Sequence, residues 1–119
     1  MSSTVTVPIL RQGDTLIVTL QGDVGDADWA KLTDELLARV AERRTRYAVL
    51  DLSVVDVLDS FACRTIVGLT NMVALRGPTM IVAGIQPGVA FAMVQLGATL
   101  PGVATALDLD HALAMMTHG

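Results

Sequence analysis

The sequence predicts an α/β domain built on a mixed, largely parallel sheet with about four packed helices. Three observations lead there. Short apolar runs rich in β-branched residues alternate with helical apolar stripes, the pattern of strands joined by crossover helices. Two strand-like runs at the start, separated by a glycine turn, add one antiparallel hairpin. A later run, "TMIVAG" (79–84), is apolar at nearly every position, as a strand covered on both faces is.

The elements follow in order. Residues 5–10 and 15–21 ("TLIVTLQ") are expected as strands joined by Gln12-Gly13-Asp14, with Leu16, Val18 and Leu20 on one face of the second. "GDVGDAD" supplies loop glycines and the acids that favour a helix start. From Trp29 to Arg43, the positions Trp29, Leu32, Leu36, Leu37 and Val40 form one helical stripe. "YAVLDLS" (47–53) is the next strand. A helix over 60–76 carries Ala62, Ile66, Leu69 and Val73 at helical spacing and stops at Gly77-Pro78. After the strand at 79–84, Pro87 opens a helix that "GVAFAMVQL" continues to Gly97, since a missing N–H costs little in a first turn. A short extended piece at 103–106 precedes the last helix, "DLDHALAMM", with Asp108 as its cap.

Composition narrows the function. A chain of 119 residues is expected to be one domain over its whole length, 1–119. Hydrophobic residues make up 52% and charged ones only 17%, so disorder is excluded and some apolar surface is expected to be covered by partners. The formal net charge is -4, and no cation cluster matches a phosphate backbone, which argues against nucleic acid. The densest basic run, Arg43, Arg44 and Arg46, sits at a helix end, where cations suit the macrodipole. The single cysteine, Cys63, forbids an internal disulfide and suits a reducing compartment. No basic signal region opens the chain, and no run approaches the roughly 18 apolar residues of a membrane span. A cytoplasmic location is expected.

Tests for chemistry mostly fail. Cys63 has only His111 and His118 as bases, both near the C-terminus and without an orienting third group. Two histidines without nearby cysteines fall short of a zinc ligand set. "DVGDADWAKLTDE" lacks the spacing of a calcium loop, and "GDVGDA" lacks the lysine of a phosphate loop. The chain is not expected to be an enzyme or to hold a cofactor or metal.

What survives is "DLSVVDVLDSF", where Asp56, Asp59 and Ser60 gather at a strand-to-helix junction. Ser60 or Asp59 can cap the helix by accepting a backbone N–H, worth about 1 kcal/mol. The same geometry makes the Ser60 hydroxyl a rigid, exposed target for a kinase. A phosphoryl group there would add about 1.5 to 2 negative charges beside two acids and expel a partner docked over the junction.

The longer stretch "VLDLSVVDVLDSF" resembles the signature of STAS domains, the fold of anti-anti-sigma factors, in which a serine after an Asp is phosphorylated by a partner kinase. "VPIL", "MIVAGIQPGVAFAMVQLGATL" and "TALDLDHAL" are similar to the short, RsbS-type members of that family, so the resemblance covers nearly the whole chain. "GIQP" followed by "LG" is characteristic of RsbS-type proteins and of the C-terminal domain of RsbR-type paralogues. RsbR-type proteins carry an added sensor domain for which this chain has no room, so the sensor-less partner is implied. The resemblance implies a stressosome scaffold that co-assembles with RsbR-type STAS paralogues and sequesters an RsbT-type serine/threonine kinase. Phosphorylation at Ser60, supported by Asp59 and Asp56, would release that kinase. Ser53, earlier in the motif, reads as a strand-end residue and does not receive the role. Two other expectations stand beside this one: a free anti-anti-sigma factor paired with an anti-sigma kinase, and a STAS accessory subunit of an ABC transporter.

Overall fold

The opening hairpin pairs β1 (Ile9–Gln12) with β2 (Thr15–Thr19), and its register brings Gln12 opposite Thr15. The turn is therefore only Gly13-Asp14, with Gly13 at φ 64, the positive value that the first central position of a II′ hairpin turn requires. This computed structural model describes residues 7–22, 24–98, 100 and 103–117. Positions 5 and 6 of the expected first strand lie outside them. The described part of that strand runs further than expected, to Gln12, because its polar residues have partners. Arg11 donates to the Arg39 carbonyl at 3.0 Å and to Thr45 Oγ1 at 3.1 Å, so polarity does not end the ladder.

The other strands are β3 (Tyr47–Asp51), β4 (Thr79–Ala83) and β5 (Ala104–Ala106), all parallel to β2 in the order β1-β2-β3-β4-β5. Between them run α1 (Asp26–Glu42), α2 (Ser60–Leu75) and α3 (Pro87–Gln95), and α4 (Leu109–Thr117) closes the chain. The mixed sheet with four helices is the architecture expected. α1 begins three residues before Trp29, because the acids of "DAD" belong to its first turn and Asp28 Oδ2 accepts the Gly25 N–H at 3.1 Å. Asp108 caps α4 as expected, its Oδ1 accepting the His111 N–H at 2.8 Å.

Strands added stepwise with right-handed crossovers place α1, α2 and α3 on one face of the sheet. There Leu16, Leu50 and Val82 pack against Trp29 and Leu36 of α1, Ile66 and Leu69 of α2, and Val89 of α3. α4 covers the other face, where Ala112, Leu109 and Met116 meet Val49, Ile81 and Ala83. β3 and β4 are thus buried on both sides, and their side chains read as continuous apolar runs for that reason. The connections after β3 and β4 emerge side by side at the C-terminal ends of the strands.

Those two connections are clasped together. Asp51 Oδ1 accepts both the backbone N–H of Ser53, at 3.0 Å, and its hydroxyl. Gln86 Nε2 donates to the Ser53 carbonyl at 2.7 Å. Gly84, at φ 73, lies so close beneath Ser53 that a Cβ there would run into Ser53 Oγ and stand 3.0 Å from its backbone. Gly84→Ala is accordingly expected to lower stability by about 1–3 kcal/mol in urea denaturation, through both the backbone strain and the collision. Gly68, mid-helix in α2, has nothing within 4 Å of an added Cβ, so Gly68→Ala is expected to raise stability by about 0.5–1 kcal/mol.

Candidate functional site

The chain leaves β3 through the Asp51–Ser53 turn and is pinned again at Val55, which is buried. Beyond it Asp56 and Val57 are exposed and Leu58 is half-buried. Asp59 then takes an extended conformation, φ -80 and ψ 175, and caps α2: its Oδ1 accepts the Ala62 N–H at 2.7 Å and its carbonyl accepts the Cys63 N–H at 3.0 Å. Of the two capping alternatives, the aspartate is the one realised.

Ser60 is consequently the first residue inside the helix rather than its cap. It is exposed, and its hydroxyl makes no hydrogen bond among the described residues. Ser53 is the opposite case, its hydroxyl held by Asp51.

Two cavities flank the junction and divide its residues. Asp59, with Trp29, Val55 and Ala62, lines one of about 300 Å³ beneath the connection from β2 to α1. Ser60 lines a groove of about 440 Å³ with Cys63, Arg64, Val67 and Gly68 on α2, walled by Leu96, Gly97 and Ala98 at the end of α3. Asp56 lines neither and makes no hydrogen bond or ion pair among the described residues. Adjacent in sequence, Asp59 and Ser60 face different spaces. Val57 and Phe61, 79% and 39% exposed, give the surface around Ser60 an apolar character.

Cys63 sits one turn from Ser60, but its sulfur is buried. Burial, and secondarily the charge of Asp59, pushes its thiol pKa up, so it is a protonated wall residue and a poor nucleophile. His111 belongs to α4 on the opposite face of the sheet, and its Nδ1 accepts the Leu107 N–H at 2.9 Å. The sheet separates it from Cys63. His118 lies outside the described residues. Among the described residues no group of three or more His, Cys, Asp or Glu is placed to hold a metal, and no helix is long and apolar enough to cross a membrane.

Sequence reasoning missed two residues here. Arg64 stands four positions after Ser60 on the same helix, a spacing that could have drawn attention to it. Gln86 appeared only as part of the "GIQP" marker, and its hold on Ser53, 33 residues away, left no local trace.

Comparison with known proteins places this geometry. Residues 6–109 match the family model described as STAS domain. The chain is 32% identical over 100 residues to the RsbT co-antagonist protein RsbRB of Bacillus subtilis, covering 83% of this chain and 36% of that protein. It spans about a third of the length of the curated relatives it matches. Among solved structures, a serine-to-glutamate variant of RsbS from Moorella thermoacetica superposes with a TM-score of 0.84 at 29% identity, over 94% of this chain and 95% of that one. A chain from the structure described as the molecular architecture of the stressosome, a signal integration and transduction hub, gives 0.80 at 28% identity, over 93% and 96%.

Two measurements check this geometry. Asp59→Ala should cost about 1 kcal/mol by chemical denaturation, whereas Ser60→Ala should stay within about 0.5 kcal/mol of the wild type, since it caps nothing. The raised Cys63 pKa makes a second prediction: its stabilising contribution is fully present below the unfolded thiol pKa and is lost as pH rises through the folded one. Stability should therefore fall on the alkaline side of the ordinary thiol range, and Cys63→Ala should flatten that slope in a denaturation series against pH.

Proposed function

The chain belongs to the STAS family, and from that premise we propose that it is a non-enzymatic stressosome scaffold that captures a serine/threonine kinase and releases it when Ser60 is phosphorylated. The fold is that of an anti-sigma factor antagonist, related in structure to stressosome proteins. One observation carries the rest: a hydroxyl at the first position of α2, exposed and committed to no partner among the described residues, because Asp59 already supplies the cap. The setting is cytoplasmic, and the partners are RsbT-type kinases and RsbR-type STAS paralogues. Names of the relatives support both partners, since one group is described as co-antagonists of RsbT and one matching structure is that of a stressosome.

The proposed exchange is a phosphoryl transfer from kinase-bound ATP. A bond forms between Ser60 Oγ and the γ-phosphorus while the bond from that phosphorus to the β-phosphate oxygen breaks. ADP leaves, and the hydroxyl proton passes to a base on the kinase or to water. The new group adds about 1.5 to 2 negative charges near the exposed Val57 and Phe61 and the acids Asp56 and Asp59. A partner seated there in the unmodified state then meets new negative charge at an apolar contact, which costs affinity.

Intact-mass spectrometry after incubation with a switch kinase and ATP should show one added phosphoryl group, mapped to Ser60 and absent from Ser60→Ala. Ser60→Ala should still capture the kinase, and Ser60→Asp should bind it more weakly by calorimetry. Equal capture by the modified and unmodified forms would sink the release mechanism. Light scattering with an RsbR-type partner should give a large particle, and a one-to-one complex would argue for a free antagonist instead.

A further inference from the structure

We propose that Arg64 is the intramolecular partner of a phosphoryl group on Ser60, holding it along the α2 wall of the groove between α2 and the end of α3. The inference rests on the reading of Ser60 as the modified residue and adds where the modification goes.

Helix geometry makes the pairing. Ser60 and Arg64 are four residues apart in α2 and lie on one face. Side chains in a helix lean toward its N-terminus, so the longer residue at the later position reaches back over the earlier one. Both residues line the same groove.

Arg64 is also uncommitted. It makes no hydrogen bond or ion pair among the described residues. Lys31 is paired with Glu35 at 4.0 Å and Arg46 with Asp14 at 3.8 Å, and Arg11 donates to the Arg39 carbonyl and Thr45. The side chains of Arg39, Arg43, Arg44 and Arg76 are unpaired like Arg64 among the described residues; of these arginines, Arg64 is the one that lines the groove with Ser60. Nearby acids do not claim Arg64: Asp59 lines the other cavity and holds the helix cap, and Asp56 stands apart in the loop. A guanidinium suits the task, because its planar fork meets two phosphate oxygens at once.

The groove favours the pair over its competitors. Its other wall, Leu96, Gly97 and Ala98, brings no titratable side chain, and Cys63 is a protonated thiol. Arg64 is therefore the one charged side chain among the lining residues. A phosphoryl group on Ser60 is repelled by Asp59 from behind and attracted by Arg64 in front. It would lie beside the first turn of α2, between Ser60 and Arg64, at the edge of the groove.

The test separates this proposal from the kinase reading by installing phosphoserine at position 60 during translation, in the full chain, without any kinase. The second ionisation of the phosphate is followed by phosphorus NMR in the parent and in Arg64→Gln and Arg64→Lys. The parent should titrate about 0.3 pH unit below Arg64→Gln, the scale of a helical ion pair, and added salt should shrink the gap. Arg64→Lys should recover part of it. Identical titration of the parent and Arg64→Gln overturns the pairing, as does a lysine variant that titrates with the glutamine one. Either failure would leave Ser60 standing as a kinase target, and a kinase that ignores Ser60 would leave the pairing standing.

Discussion

The hydrogen bond from the Ala62 N–H to Asp59 Oδ1 determines where α2 begins, and so what kind of residue Ser60 is. Had the serine taken the cap, its oxygen would be occupied by a backbone donor and its modification would loosen the helix. With the aspartate in that place, the serine enters the first turn with nothing to hold. The cap itself depends on a loop that arrives at a fixed angle. Asp51 turns the chain at Ser53, Gln86 grips the Ser53 carbonyl, and Gly84 leaves room beneath it. The acid that orients the loop and the acid that caps the helix have separate tasks, and Ser60 inherits its freedom from both.

The sheet explains why this apparatus stands where it does. In a parallel array the connections leave at the carboxyl ends of the strands, and polar groups collect there because the strands themselves are sealed on both faces. Here three helices seal one face and α4 seals the other. β3 and β4 are neighbours, so the loop to α2 and the loop to α3 lie within hydrogen-bonding reach. The same adjacency brings the end of α3 beside the first turns of α2 and forms the groove that Ser60 overlooks.

Much of this was legible in the sequence, for identifiable reasons. The alternation of strands and helices, the start of α2 at Ser60, the stop near Gly77 and the cap at Asp108 each leave a local signature. The end of β1 did not, because the partners that let Arg11 and Gln12 remain in a strand come from the end of α1 and from β2. The start of α1 was blurred because acids suit both a preceding loop and a first turn. Spacing could not choose between Asp59 and Ser60 as cap, since both residue types fill that position well. The clasp on Ser53 was out of reach altogether, being a contact between segments distant in the chain. The family resemblance singled out "GIQP", and the structure supplies a physical reason: its glycine and glutamine hold the loop from β3 to α2 at Ser53.

The energetics then decide what a phosphoryl group on Ser60 can change. The cap, worth about 1 kcal/mol, belongs to Asp59 and survives the modification. The core contacts of Ala62, Ile66, Leu69 and Val73 lie on the other side of α2 from the groove, and Cys63 is the core residue that also lines it. A new dianion therefore has no native contact on Ser60 to break, and the fold has no reason to respond. What changes is the outer surface, where apolar side chains such as Val57 and Phe61 stand exposed around a hydroxyl. Several large hydrophobic side chains stand exposed on the domain, and Val57 and Phe61 at this junction are among them. A phosphoryl group placed on such a surface would act on whatever covers it, while the domain beneath stayed rigid.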